Sequence, residues 1–122
     1  QPNGAVLVDT LHFSRSRSSL ARLAELPPEM INFVQLCDAL APRSDSDDEL
    51  IRVARADRQP PGEGDIELGP IVEALPPVPY ALEVPNDVMR HQLGALEYAR
   101  RVLEMTKRFF EAVDADATAA AR

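Results

Sequence analysis

The sequence predicts an α/β protein with a parallel sheet, because three nearly continuous apolar runs alternate with segments of helical periodicity. The apolar runs are AVLVDTLHF (5–13), MINFVQLCDA (30–39) and VPYALEV (78–84). Strands that are buried on both faces of a parallel sheet have this composition. The intervening segments are long enough for right-handed helical crossovers, so we predict three parallel strands in β/α units.

Four helices are predicted from capping residues and from apolar side chains at helical spacing. Ser18 or Ser19 is suited to cap the first helix and Asp65 the third. The four predicted ranges are 18–27, 44–56, 66–76 and 94–113. The Ala-rich end at 114–122 is predicted to be a disordered tail, which leaves 1–113 as the folded part.

Three parallel strands leave two open edges and an uncovered face, whereas a closed (β/α) barrel needs about eight units and roughly 250 residues. The chain also starts at Gln1 and enters a strand almost at once. We therefore predict the last three units of a barrel, with the N-terminal units missing. Leu7, Phe33 and Ala81 should then face an exposed surface, and the chain should be marginally stable or associate through its open edge. The alternative is a small α/β domain that is complete in itself.

The composition argues against several classes of partner. The net charge is -7 and the acidic residues are scattered among arginines, so no basic stripe is available for nucleic acid or for anionic lipid. No apolar segment is long enough to cross a bilayer, and no leader is visible. The one cysteine, Cys37, lies in an apolar run and has no partner for an intrachain disulfide, so we expect a buried thiol and a cytoplasmic protein.

Each predicted strand carries one polar side chain at or near its C-terminal end: Asp9, Gln35 and Glu83. Side-chain alternation places each of them on the face of its own strand that carries small or mixed residues. In a barrel they would meet at the C-terminal mouth, where three oxygen donors favour a divalent cation such as Mg²⁺ or Mn²⁺. Taken singly, each has a structural explanation: Asp9 opens a turn, Gln35 bonds to backbone and Glu83 pairs with an arginine.

Two further residues lie in the segments that follow the strands. His12 comes three residues after the first-strand carboxylate and can reach the same mouth, although a lone histidine is more often a structural hydrogen-bonding group. In DRQPPGEGDI (57–66), Arg58 precedes a rigid turn with Gly62 and Gly64. This pattern is typical of a loop that holds one cation over a site. The alternative is a tight turn with a solvated arginine.

At these residues the sequence resembles the sugar phosphate isomerase/epimerase family of xylose-isomerase-like TIM barrels. VLVDTLHF resembles that family's sixth strand with its D-x-x-H, and VQLCDA resembles the seventh. DRQPPGEGDI resembles its R-x-x-P-G-x-G loop, and ALEVPND its eighth strand with the closing glutamate. The resemblance runs from about Gly4 to Phe110 and implies strands six to eight of the barrel.

The resemblance implies that Asp9, Gln35 and Glu83 are metal ligands and that Glu83 is also the catalytic base. It implies that His12 and Arg58 contact substrate oxygens, with His12 taking part in catalysis. Gln35 departs from the histidine of many members, and related dehydratases that act on 3-dehydroshikimate can use Gln there. An amide oxygen favours Mn²⁺ or Mg²⁺ over Zn²⁺. The family's remaining ligand, a glutamate on the fifth strand, has no counterpart here.

The implied activity is isomerisation or epimerisation of a sugar, a sugar phosphate or another polyhydroxy keto compound, by proton abstraction next to a carbonyl through an enediolate. The first alternative is a dehydratase-like lyase of the same barrel family. The second is a non-catalytic, truncated piece, and the isolated 122-residue chain is expected to be inactive. A DNA-repair endonuclease of the same superfamily is disfavoured, because two histidines and an acidic balance do not suit it.

Overall fold

A three-stranded parallel sheet forms the centre of the computed structural model, which describes residues 3–121. The strands are β1 (Val6–Asp9), β2 (Ile31–Leu36) and β3 (Tyr80–Leu82), in the order β1-β2-β3. Asp9 is in register with Gln35, and Gln35 with Ala81, so these three positions lie side by side across the sheet. The predicted α/β architecture with three parallel strands is confirmed.

Six α-helices surround or extend the sheet in the described part of the chain. Ser19 and Ser46 cap α2 and α3 by accepting the amide hydrogens of Arg22 and Glu49. The helices are α1 (Thr10–Arg15), α2 (Leu20–Ala24), α3 (Asp47–Ala56), α4 (Leu68–Glu73), α5 (Asp87–Leu93) and α6 (Ala95–Ala120). Four of them fall within or overlap the predicted ranges, whereas α1 and α5 were not predicted.

The first strand is shorter than the prediction, which ran to residue 13. It ends at Asp9, because the Asp9 side chain accepts the amide hydrogen of His12 and thereby caps α1. The apolar residues that follow are therefore helical.

The predicted cap of α4 is also wrong. Asp65 does not cap this helix; its Oδ2 accepts the amide hydrogen of Ala41 at 2.9 Å. The helix starts at Leu68 after Glu67, whose side chain makes no capping hydrogen bond. Asp65 therefore joins two loops rather than starting a helix.

The last helix is longer than predicted. α6 continues to Ala120, so 114–120 is helical where a disordered tail was predicted. Alanine has the highest intrinsic helix propensity, which explains the extension without tertiary contacts. The first half of α6 packs through buried Val102 and Thr106. Neither α6 nor another helix within 3–121 has the length and apolar character needed to cross a membrane.

The core lies on the helix-covered side of the sheet. Its buried apolar residues form two clusters, Val8, Leu23, Ile31, Val34 and Ile71 in one, and Leu11, Cys37, Ala39, Val84 and Val102 in the other. On the opposite face Leu7 is 52% exposed and Phe33 41% exposed, and Ala81 is also exposed. The predicted uncovered face is thus confirmed.

We expect Leu36→Ala to lower the free energy of unfolding by about 3 kcal/mol, because Leu36 is fully buried and truncation leaves a cavity. Leu7→Ala is the matched control on the exposed face and should cost about 0.5 kcal/mol or less. Urea unfolding followed by circular dichroism measures both. Equal losses in the two variants would mean that the face bearing Leu7 is covered.

Candidate active site

Three of the predicted site residues lie around one cavity. Asp9 and Gln35 sit at the C-terminal ends of neighbouring parallel strands and are register partners, so their side chains share a face. His12 lies on α1, one turn beyond the strand, and is exposed. These three side chains line a cavity of about 600 Å³ whose remaining wall is largely apolar. Glu83 does not line this cavity.

Asp9 is 7% exposed, and both of its carboxylate oxygens are hydrogen-bonded. Oδ1 accepts the amide hydrogen of His12 at 3.1 Å, and Oδ2 accepts a hydrogen from Nη1 of Arg58 at 2.8 Å. A buried carboxylate is costly unless a cation or several donors compensate it, and here Arg58 provides the cation. Each carboxylate oxygen has a second lone pair, so Asp9 remains able to bind another ligand.

Arg58 was predicted to be held over the site by its loop or, alternatively, to be solvated in a tight turn, and its observed position is more buried than either. It is only 3% exposed, because the buried Asp9 needs a buried partner. Nη1 also donates to the Glu83 main-chain oxygen at 3.4 Å and to Sγ of Cys37 at 3.5 Å. Nε donates to the Ala54 carbonyl oxygen at 2.8 Å. Arg58 therefore links the ends of all three strands to α3.

The same contacts explain the directions in which the pKa values of Arg58 and Cys37 are shifted. Burial works to lower the pKa of Arg58, but the hydrogen bonds with Asp9 and Cys37 outweigh it, and the pKa is raised overall. Burial raises the pKa of the Cys37 thiol, although Arg58 opposes the shift. The thiol is therefore protonated at neutral pH, as expected of a buried structural cysteine and not of a nucleophile.

One nitrogen of Arg58 is available to a ligand. Within 3–121, Nη2 of Arg58 donates to no acceptor, and it is not among the fully buried unpartnered atoms. It therefore keeps some contact with solvent, although Arg58 as a whole is only 3% exposed. The guanidinium can accordingly stabilise Asp9 through one nitrogen and bind an oxygen through the other.

Glu83 follows β3 and keeps one carboxylate oxygen without a partner. Its amide donates to the Leu36 carbonyl oxygen at 3.2 Å, which continues the sheet by one residue. Within 3–121, Glu83 Oε2 is the only fully buried side-chain nitrogen or oxygen that lacks a hydrogen-bond partner. Arg58 reaches only the main-chain oxygen of Glu83. Among the residues that the structure describes, no arginine forms an ion pair with the Glu83 carboxylate, which was the structural alternative.

Asp38 is a residue that the sequence reasoning missed. It is 1% exposed and accepts four backbone amide hydrogens. Oδ1 accepts from Ala39 at 2.8 Å and Ile66 at 3.0 Å, and Oδ2 accepts from Gly62 at 3.1 Å and Gly64 at 3.0 Å. The available signal was an acid directly after a strand together with a Gly-x-Gly loop, whose amides can converge on an anion.

The two glycines make this arrangement possible. Gly62 has a φ of +85°, and a Cβ on Gly64 would collide with the Asp38 carboxylate and lie 2.7 Å from the Ala39 nitrogen. Asp38 and Gln59 also exchange two backbone hydrogen bonds of 2.8 Å each. The loop that carries Arg58 is therefore fastened to the end of β2.

The donors suit part of a site for a hard divalent cation. Within 3–121 no group of three or more His, Cys, Asp or Glu side chains is arranged to hold a metal ion. Asp9 and Gln35 nevertheless present neighbouring oxygen donors, and Glu83 has an unsatisfied carboxylate oxygen. Oxygen donors of this kind fit Mg²⁺ or Mn²⁺ chemically. The chain can thus supply some of the ligands of such a site.

Comparisons with known proteins identify the fold. No protein-family model matches the sequence, and a search of curated proteins finds no match. Among solved structures, a xylose isomerase domain protein from Alicyclobacillus acidocaldarius subsp. acidocaldarius matches with a TM-score of 0.68 and 26% identity, over 93% of this chain and 38% of its own.

Two further structures agree. A fusion of a xylose isomerase-like TIM barrel with a 4-hydroxyphenylpyruvate dioxygenase matches with a TM-score of 0.55 and 29% identity, over 68% of this chain and 13% of its own. The IOLI protein, whose crystal structure contains a bound zinc atom, matches with a TM-score of 0.62 and 21% identity, over 93% and 38%. The chain has the fold of part of a xylose isomerase-like TIM barrel, as its resemblance implied, and spans 38% of the length of the first of these proteins.

We expect Asp38→Ala to lower the free energy of unfolding by about 3 kcal/mol or more, because four buried amides lose their acceptor. Hydrogen exchange at Gly62, Gly64 and Ile66 should accelerate in this variant. Asp48→Ala, an exposed acid in the first turn of α3, is the control and should cost less than about 1 kcal/mol. Unchanged exchange at the two glycines would show that Asp38 does not fasten the loop.

Proposed function

We propose that this chain supplies part of the active site of a divalent-metal-dependent isomerase or epimerase that acts on a sugar or another polyhydroxy carbonyl compound. The observation that carries the proposal is the buried, unpartnered Oε2 of Glu83 at the end of a barrel strand. A buried carboxylate oxygen without a partner destabilises the folded protein unless it binds a ligand or a proton. The fold of a xylose isomerase-like barrel supports the same reaction class.

The ligands proposed for the cation are Asp9, Gln35 and Glu83. When bound, such a cation polarises a carbonyl group and acidifies the neighbouring C–H bond. The preference for Mn²⁺ or Mg²⁺ rests on the amide oxygen of Gln35, since a histidine at that position would suit Zn²⁺ equally well. A structure of the same fold holds zinc, so the choice of metal has to be measured.

Glu83 is the base in this proposal. Its Oε2 has no competing hydrogen-bond donor among the described residues, so a lone pair is available to take a proton from carbon. For epimerisation, an acid other than Glu83 has to supply a proton to the opposite face of the same carbon, whereas for isomerisation Glu83 itself can return its proton to the adjacent carbon.

His12 and Arg58 orient the substrate in this proposal. His12 is exposed at the cavity that Asp9 and Gln35 also line, and its imidazole can exchange hydrogen bonds with a substrate hydroxyl. Arg58 has Nη2 free, within residues 3–121, to donate to a substrate oxygen. Two such contacts fix which carbon faces the base, and correct orientation contributes much of the rate enhancement in enzymes.

A dehydratase-like lyase is the second candidate, and Gln35 favours it. The same first step, proton removal next to a carbonyl, is followed by loss of a β-hydroxyl group as water. His12 lies at the cavity and can protonate that leaving group. The two reactions differ in their products: the lyase forms a conjugated double bond, whereas the isomerase or epimerase conserves the molecular formula.

We expect Glu83→Gln in the intact protein to lower turnover by about 10³-fold or more, because it removes both the base and a ligand charge. Solvent deuterium incorporation into a panel of ketoses with added Mn²⁺, read by proton NMR, measures the first step, and ultraviolet absorbance detects a conjugated product. Glu73→Gln, an exposed glutamate on α4, is the matched control and should keep full activity.

Retained turnover in Glu83→Gln would reject Glu83 as the base. A wild-type protein that binds Mn²⁺ but neither incorporates deuterium nor forms a conjugated product would reject the reaction class for that panel. Loss of activity in both Glu83→Gln and Glu73→Gln would show that the effect is not specific to the site.

A further inference from the structure

The ion pair between Asp9 and Arg58 lies where the proposed cation would bind. Nη1 of Arg58 donates to Oδ2 of Asp9 at 2.8 Å, and the two side chains are 4% and 7% exposed. Both charges are therefore withdrawn from water and compensate each other. A divalent cation that binds Asp9 has to share this carboxylate with a guanidinium, and two cations on one carboxylate repel each other.

Arg58 has little freedom to move away. Its Nε is hydrogen-bonded to the Ala54 carbonyl oxygen, its amide donates to the Pro85 carbonyl oxygen at 3.0 Å, and its own carbonyl oxygen accepts from Asn86 Nδ2 at 2.9 Å. Asp38 fastens the following loop. The positive charge is therefore fixed next to Asp9 rather than carried on a flexible side chain.

We propose that Arg58 is a positioning residue that competes with a divalent cation for Asp9 and thereby sets how weakly the site binds metal. This inference rests on the proposed function, since it concerns the same ligand. Asp9 and Arg58 together are neutral. Glu83 is the other acid of the proposed ligand set, and no arginine within residues 3–121 forms an ion pair with it. Attraction for a divalent ion is correspondingly small.

If Arg58 instead supported Asp9 as a metal ligand, its removal would change the metal affinity in the opposite direction. An arginine that only orients a metal ligand strengthens binding, and its removal weakens metal affinity, as is usual for residues that support ligands from behind. An arginine that competes for the ligand weakens binding, and its removal strengthens metal affinity. The direction of the change in the dissociation constant therefore distinguishes the two roles.

The first experiment measures Mn²⁺ binding to the intact protein by equilibrium dialysis with metal analysis. We expect Arg58→Gln to bind Mn²⁺ about tenfold or more tightly than wild type, because the repulsion between two nearby positive charges is removed. Arg52→Gln is the matched control, because Arg52, like Arg58, forms ion pairs but lies on the exposed side of α3. Its partners are Glu49 at 2.8 Å and Asp57 at 2.9 Å. The control should leave the dissociation constant unchanged.

The second experiment needs no variant and applies if Arg58→Gln does not fold. Saturating Zn²⁺, which is diamagnetic, is added to wild-type protein, and the assigned guanidinium NMR signals of Arg58 are followed. We expect these signals to shift and rotation of the guanidinium group to become faster, because Nη1 loses its hydrogen bond to Asp9. Unchanged signals at saturation would overturn the competition.

The outcomes separate this inference from the proposed function. Wild-type protein that binds metal, with an equal or weaker affinity in Arg58→Gln, overturns the competition and leaves the proposed function standing. Wild-type protein that binds neither Mn²⁺ nor Zn²⁺ overturns the proposed function and the competition together. Tighter binding in Arg58→Gln with an unchanged Arg52→Gln control supports both.

Discussion

The buried ion pair between Asp9 and Arg58 is the interaction on which the rest of this structure depends. An isolated charge in a protein interior is strongly destabilising, so neither residue can be buried without the other. Through Nη1, Arg58 contacts Asp9 at the end of β1, Cys37 after β2 and the main chain of Glu83 after β3. One guanidinium therefore holds together the strand ends at which the candidate site lies.

A second buried carboxylate makes that pair possible. Asp38 fastens the glycine loop by four amide hydrogen bonds, and the loop delivers Arg58 to Asp9. The two acids differ in what compensates them: Asp38 has backbone dipoles, which fix a shape, whereas Asp9 has a full positive charge, which fixes a charge balance. Among the described residues, neither a backbone amide nor a cation compensates Oε2 of Glu83. We therefore propose Glu83 as the reactive acid of the three.

The sequence was sufficient where local patterns decide the structure. Strand positions, the uncovered face with Leu7 and Phe33, the Ser19 cap and the burial of Cys37 all follow from alternation, capping and apolarity. It was insufficient where distant residues meet. Asp9 and Arg58 are 49 residues apart, and the amides bound by Asp38 lie up to 28 residues away, so no local period reveals either contact. The end of α6 was not predicted for another reason. An Ala-rich end has high helix propensity, but it lacks the apolar spacing that indicates packing.

We propose that the oxygens of Asp9, Gln35 and Glu83 surround one divalent cation. Anomalous diffraction from crystals of the intact protein soaked in Mn²⁺ tests it directly, because the signal locates the ion independently of any assumed ligand. The account predicts one peak within about 2.0–2.6 Å of oxygens from all three side chains. A peak bound elsewhere, or a Glu83 carboxylate that remains outside the coordination sphere, would contradict it.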